Sequence, residues 1–276
     1  MIDSETSTPI PLCLVTGANT GIGFEVARGL AQNGTRVVLA CRDEGRGRVA
    51  LDAIARDFPQ ARLELLLADL SDQRSIRDAA RAFLAMHDTL DVLINNAAVG
   101  LKERQESVDG VEMTFAVNVL GYFLLTKLLL EALRKAPAAR IINVSSRLAG
   151  GLDLGDVEFK RRPYDATSAY SQSKQSDRML TWALARGLEG TAVAANSMSP
   201  GAINTRLLRT FAPDMKGKTP SEGADTIVWL ATSADLAGVS NRFWADRKEV
   251  RCQFHNTEQE DALWQLCEEM TAASAK

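Results

Sequence analysis

Apolar residues follow two different periods along this chain. Short unbroken runs, such as Val37-Val38-Leu39-Ala40 and Leu65-Leu66-Leu67, alternate with longer stretches in which apolar positions recur every three or four residues. Unbroken runs are the signature of strands covered on both faces, and the longer pattern is that of amphipathic helices. The spacing predicts strands at 12–16, 36–41, 62–68, 92–95, 140–145, 191–197 and 242–245. It predicts helices at 21–33, 44–57, 71–87 (with Ser71 as N-cap), 108–135, 168–188 and 221–233. Strand–helix units repeated in this way imply an α/β fold. The expected form is a doubly wound parallel sheet of about seven strands with helices on both faces. No linker or internal repeat divides the chain, so 1–276 reads as a single domain. Residues 1–10 are expected to be flexible, and 247–276 to form a C-terminal tail.

Composition narrows the class of partner. With 276 residues, 46% of them apolar, the chain can bury a sizeable core unaided. A net charge of −3 argues against a broad grip on nucleic acid or anionic lipid. The apolar stretch 117–133 is interrupted by Lys127 and Glu131, so it reads as a buried helix rather than a span. The first residues lack the order of a signal peptide, and no membrane anchor is expected; the chain reads as cytoplasmic. Four cysteines without a Cys-x-x-Cys pair and only two histidines offer no metal set, so none is expected.

Candidate chemistry begins at the first strand's end. Thr16-Gly17-Ala18-Asn19-Thr20-Gly21-Ile22-Gly23 leads into a helix. Glycines there allow a sharp turn and let a phosphate approach the helix N-terminus, where free N–H groups attract anions. A tight turn needing glycine only for packing would give the same local pattern, and the Gly-x-x-x-Gly-x-Gly spacing departs from the usual dinucleotide fingerprint. The second strand ends Leu39-Ala40-Cys41-Arg42. Cys41 holds the place where NAD-binding sites keep a carboxylate, and Arg42 follows, as suits a 2′-phosphate. NADP (NADPH) is therefore preferred over NAD. NAD with Asp43 on the ribose stays open, as does Arg42 as a mere solvated helix start.

Three further residues make a reactive set. Ser146 follows a strand end, and Tyr170 and Lys174 are four apart on a predicted helix, hence on one face. A phenol is a poor base at neutral pH, but a neighbouring ammonium favours its phenolate, which can exchange a proton with an alcohol or alkoxide. Beside them stand Asp69-Leu70, Asn95-Asn96-Ala97-Ala98, Asn118 and Pro200-Gly201.

Those motifs, in that order, resemble the short-chain dehydrogenase/reductase family over roughly residues 11–254. The resemblance implies Tyr170 as acid/base, with Lys174 lowering its pKa and holding the nicotinamide ribose. It implies Ser146 on the substrate oxygen, and Asn118 shaping a water-linked proton path through Lys174. Gly17, Asn19, Thr20, Gly21, Ile22, Gly23 and Arg42 would hold the dinucleotide. Asp69 and Leu70 would lie at adenine, and Asn95, Asn96 and Ala97 at the cofactor cleft. Pro200, Gly201, Ile203 and Thr205 would meet the nicotinamide amide and phosphates. For Asp69 and Thr205, helix capping is the competing reading.

Two departures refine the resemblance. Ala98 replaces a common glycine, and 24 positions separate Ser146 from Tyr170 where the commoner layout has about 13, so 147–169 is an extra segment. This spacing is similar to the retinol-dehydrogenase-like and protochlorophyllide-reductase-like branch, whose members often act on lipophilic carbonyls or alcohols. Lys160-Arg161-Arg162 within it reads as a solvated loop. A lid is expected at 203–220, where Leu207, Leu208, Phe211 and Met215 point to a bulky apolar substrate or to a partner subunit of a homo-oligomer. The expected activity is NADP(H)-dependent hydride transfer between nicotinamide and a ketone, aldehyde or alcohol. A non-catalytic NADP-binding regulator and an NAD-dependent alcohol dehydrogenase are the competing readings.

Overall fold

The computed structural model describes residues 10–272; nine of the ten residues expected to be flexible, and the last four of the tail, lie outside the described residues. Among the described residues, every strand joins one sheet. β1 (Leu12–Thr16), β2 (Arg36–Cys41), β3 (Arg62–Leu67), β4 (Val92–Asn95), β5 (Ala139–Val144), β6 (Val193–Met198) and β7 (Phe243–Ala245) run parallel. β8 (Lys248–Glu249) returns antiparallel on β7. The strand order is 3-2-1-4-5-6-7-8, so the chain reverses direction across the sheet between β1 and β4. Crevices at such a reversal, outside the carboxyl ends of the strands, are where doubly wound sheets hold ligands. Eight strands rather than about seven follow from the short β7–β8 hairpin.

Side-chain alternation along each strand builds two cores. Leu12 and Leu14 of β1, with Val38 and Ala40 of β2, face one layer. Cys13 and Val15, with Val37, Leu39 and Cys41, face the other. The first layer is covered by α3 (Gln73–Met86), by the helix leading into β5 and by α6 (Ala166–Gly187). The second is covered by α1 (Gly21–Gln32), α2 (Glu44–Asp57) and α8 (Pro220–Thr232). With both faces packed, the unbroken apolar runs are explained.

Several predicted boundaries move. Asp72, not Ser71, caps α3: its carboxylate accepts from the Arg74 and Ser75 N–H groups, while the Ser71 hydroxyl donates to Asp69. The long helix begins at Met113 rather than 108, because the Glu112 carboxylate caps it by accepting from Thr114 and Phe115. It consists of α4 (Met113–Phe115), a π-helical turn (Ala116–Leu120) and α5 (Gly121–Lys135). This stretch, Met113–Lys135, is long and apolar enough to cross a membrane, yet most of it is buried inside the fold. The lid contains a short helix, α7 (Arg206–Phe211), and the tail contains α9 (Thr257–Ala272), which packs on α6 through Leu263 and Cys267.

Candidate active site

The glycine turn after β1 is a close-packed backbone junction. A Cβ on Gly17 would lie 2.9 Å from the Ala97 Cα, and one on Gly23 would lie 2.5 Å from Asn96 Nδ2 and closer still to the Gly17 carbonyl oxygen. Thr16 ties the turn to β4: its Oγ1 accepts from the Asn96 and Ala97 N–H groups, and its carbonyl accepts from Asn96 Nδ2. Gly21 adopts φ +58°, a left-handed conformation that suits glycine. Thr20 precedes α1 without a side-chain cap, and no acid stands in the first turn. The N–H groups at Gly21 and Ile22 are therefore left to a ligand, and the helix dipole favours an anion. Asn19 is half-buried and Thr20 exposed beside them.

The end of β2 has the same clarity. The Asp43 carboxylate caps α2 by accepting the Arg46 N–H at 2.8 Å. Cys41 is buried, and its thiol is pushed up to about 11 by burial, with the Ala18 and Asn19 backbone N–H groups acting in the opposite sense. Arg42 is exposed at the strand's carboxyl end. These residues fit a dinucleotide: a turn in which a Cβ on Gly17 or Gly23 would clash, followed by a helix end with neither a side-chain cap nor an acid in its first turn.

The other predicted cofactor residues divide. Asp69 accepts from the Ser71 N–H and hydroxyl, fixing the turn before α3. Leu70 is a core residue over which Gly121 packs. Asn95 is wholly buried, donating to Thr126 and to Asn143. Pro200 and Gly201, with φ +86° at the latter, carry the chain off β6. Ile203 is buried against Gly223 of α8 rather than exposed in the cleft. Thr205 caps α7, accepting the Leu208 N–H, while its methyl lies 3.5 Å from where a Gly21 Cβ would be.

Ser146, Tyr170 and Lys174 come together above β5. Ser146 is held at its backbone by Arg178, which donates to its carbonyl and to Ser145 Oγ and stacks over Phe243 at 3.8 Å. The Ser145 hydroxyl donates to the Lys174 carbonyl at 2.6 Å, so strand end and helix are bolted to each other. The Ser146 hydroxyl favours ionisation of the adjacent Tyr170 phenol, as does Lys174. Burial outweighs both, however, and Tyr170 sits above the usual phenol range. Lys174 thus acts in the expected direction without producing the expected net lowering: with Tyr170 8% exposed, desolvation of the phenolate wins. Asn118 lies on the π-helical turn. Its amide accepts from the Val99 N–H and donates to the Val99 carbonyl and to Ser173 Oγ, which fixes the loop after β4 against α6. Insertions of this kind in a helix recur at functional sites.

Asp177, which the sequence reading did not single out, adds a buried partner to Lys174. Lys174 Nζ donates to Asp177 at 2.7 Å and to the Val144 carbonyl at 2.9 Å, and Lys174 and Asp177 are both about 1% exposed. The three-residue spacing on one helix was the available signal for this pair. Phe211 of α7 lies against the Tyr170 ring, centroids 5.0 Å apart, and with Leu207 covers Gly100. The extra segment is built around Asp156, which accepts from the Lys160, Arg161 and Arg162 N–H groups. Tyr164 donates to the Leu101 carbonyl, joining that segment to the loop after β4.

A profile of the short chain dehydrogenase family matches residues 11–216. The chain belongs to this family. It is therefore an oxidoreductase of the alcohol–carbonyl type with a nucleotide-binding Rossmann sheet. It is 39% identical to retinol dehydrogenase 12 of Mus musculus over 95% of this chain and 88% of that protein. It is 40% identical to retinol dehydrogenase 11 of Homo sapiens over 88% of this chain and 79% of that one. Among solved structures, an uncharacterized Mycobacterium paratuberculosis protein superposes with a TM-score of 0.80 at 30% identity, over 95% of this chain and 93% of that one. The structure of an NAD(P)-dependent gluconate 5-dehydrogenase from Beutenbergia cavernae, with NADP bound at low occupancy, gives a TM-score of 0.71 at 25% identity, covering 85% of this chain and 94% of that one.

Proposed function

We propose that this short-chain dehydrogenase is an NADP(H)-dependent reductase of bulky, apolar ketones or aldehydes. The observation that carries the cofactor preference is the end of β2: Asp43 is engaged in capping α2, and Arg42 is exposed beside the buried Cys41. Gly17, Gly21, Ile22 and Gly23 would receive the pyrophosphate at the α1 N-terminus, and Arg42 the 2′-phosphate. When bound, the nicotinamide supplies the hydride.

The protein's part is orientation and the proton. Ser146 Oγ holds the substrate oxygen beside Tyr170, and the phenol donates its proton to that oxygen as charge develops. The raised pKa suits this direction, because the phenol stays protonated at neutral pH until an alkoxide forms. Lys174, anchored by Val144 and Asp177, keeps one of its three N–H groups for the cleft. Phe211 and Leu207 lie over Tyr170 and Gly100, so a substrate enters by displacing an apolar lid and is met by apolar surface. The four cysteines are unpaired and buried, in keeping with a reducing cytoplasm.

Incubation with NADPH and a panel of aromatic and terpenoid carbonyls tests the reading. Turnover by the parent chain and none by Tyr170→Phe is expected. Failure to reduce any of them, or equal turnover by the variant, would sink it.

A further inference from the structure

The stripe of α6 that carries the reactive set runs one step further than Lys174. Tyr170, Lys174 and Arg178 stand at successive four-residue intervals, so a single helix face meets the end of β5. β5 ends at Val144, and the Ser145 N–H still pairs across the sheet, donating to the Met198 carbonyl at 2.8 Å. Ser146 lies one residue beyond that last ladder bond. Its backbone is held by Arg178 instead: Nη2 donates to the Ser146 carbonyl, and Nε donates to Ser145 Oγ at 3.3 Å. The Leu148 N–H donates to Ser146 Oγ at 3.1 Å, which orients the hydroxyl and leaves its own hydrogen to donate. The guanidinium is only 6% exposed, and its acceptors are uncharged, since Asp177 beside it in sequence is taken by Lys174. It lies over the rings of Phe243, at 3.8 Å, and Phe254, at 5.3 Å, and Nη1 reaches Cys252 Sγ at 3.8 Å. A charge buried among neutral partners carries a desolvation cost that an apolar side chain would avoid. Packing alone therefore does not account for arginine at this position, whereas a rigid fork that reaches two oxygens does.

We propose that Arg178 is a positioning residue for Ser146, fixing the backbone that aims its hydroxyl at the substrate oxygen, and that the C-terminal segment 243–254 seats Arg178 in that role. The inference rests on Ser146 holding that oxygen. Arg178 acts through Ser146: its two bonds end on the backbone of one serine and the side chain of the next. Without them the Ser146 carbonyl loses its donor, and the turn through Leu148 that orients the hydroxyl is free to swing. A shift of about 1 Å at such a group costs on the order of 100-fold in rate. Lysine would keep the charge but not the fork, since one ammonium on a flexible stem does not hold two oxygens and stack on a ring at once. The seat belongs to a different part of the chain from the rest of the set. Phe243 comes from β7, and Cys252 and Phe254 from the stretch before α9, so residues after the lid govern a serine about 100 positions earlier.

The test is a double-mutant cycle on carbonyl reduction at saturating NADPH. It compares the parent chain with Arg178→Met, which keeps the apolar stem, with Ser146→Ala, and with the two combined. Arg178→Met should lower kcat about 10–100-fold, with substrate KM and NADPH affinity within about threefold, and Arg178→Lys should recover part of the loss. On the Ser146→Ala background the same change should cost less than about twofold, because no hydroxyl is left to aim. Equal fold losses on both backgrounds would make Arg178 a general structural residue and overturn the proposal, as would an Arg178→Met kcat within about twofold of the parent. Where Arg178→Met does not fold, Arg178→Lys carries the cycle. Phe243→Leu tests the seat: it should lower kcat about threefold or more and add nothing to Arg178→Met, and a parental kcat overturns the part assigned to 243–254. One readout needs no turnover. Hydrogen exchange of the backbone amides at 145–148, in NADPH-loaded protein, should quicken in Arg178→Met while that of β1 and β4 holds; unaltered exchange overturns the proposal. If the parent chain reduces no carbonyl, or Ser146→Ala matches it, the reading of Ser146 fails, while exchange at 145–148 still decides whether Arg178 fixes that strand end.

Discussion

Alanine at position 23 should damage both the fold and the anion cradle. The added methyl would stand 2.5 Å from Asn96 Nδ2 and nearer still to the Gly17 carbonyl oxygen. Neither neighbour can yield freely. Asn96 Nδ2 donates to the Thr16 carbonyl at 2.9 Å, and the Gly17 N–H donates to the Ala40 carbonyl at 2.9 Å. Relief requires a shift of about 1 Å in the backbone, and overpacking of this sort costs about 1–3 kcal/mol, with the upper end expected where backbone must move. For a chain of this size about 3 kcal/mol lowers Tm by roughly 6–12 °C. The same displacement opens the turn that would receive the phosphates, and a misplacement of about 1 Å can cost on the order of 100-fold where geometry is exacting. Gly34→Ala supplies the control. Gly34 has φ +77° and nothing within 4 Å of a Cβ, so only left-handed strain of about 1–2 kcal/mol arises, far from the turn. Thermal melts and NADPH fluorescence titrations on both variants are the assay. Loss of affinity in Gly23→Ala alone is expected. Parental affinity in Gly23→Ala with Tm within about 1 °C would refute the close-approach argument.

Other substitutions probe separate parts of the molecule. Arg42→Ala should weaken NADPH but not NADH binding, by about 10–100-fold given about 1.5–3 kcal/mol for a charge-assisted contact; retained NADP selectivity would remove the argument from β2. Gly100→Ala brings a methyl within 2.5 Å of the Phe211 ring and should lift α7 from Tyr170, seen as faster proteolysis within 206–216 while Tm holds within about 2 °C. Asp177 also bears on stability. Its folded pKa of about 6 exceeds the ordinary 3.8, so the folded state binds more protons across that window, and this group's contribution falls as pH rises from about 4 to about 6. Denaturant melts should therefore show Asp177→Asn gaining on the parent chain with rising pH through that window; a constant difference would contradict the shift.

Legibility in the sequence followed how local the signal was. The strands were readable because both faces are buried: Val37, Leu39 and Cys41 meet one layer and Val38 and Ala40 the other, leaving no polar interruption. The glycine turn and the Tyr170–Lys174 spacing are short-range and were equally plain. Cap positions were less so, since Ser71 and Asp72 are both good caps and the choice fell to the Asp69 carboxylate, which engages the Ser71 hydroxyl. α9 escaped because its buried stripe is only Glu260, Leu263, Cys267 and Thr271, half of it polar. Glu260 tolerates burial by pairing with Arg186 on α6, a partner 74 residues away.

By itself, then, the sequence determined the alternation of strands and helices, the anion-binding turn and the chemical types in the reactive set, since each depends on residues a few positions apart. Tertiary structure decided the protonation and the surroundings of that set. The dehydration of Tyr170, the tie from Lys174 to Asp177, the unpartnered Tyr122 hydroxyl and the Phe211 lid all arise where α5, α6, α7 and the end of β5 converge. Desolvation is a property of everything packed around a group, and no spacing along the chain encodes it.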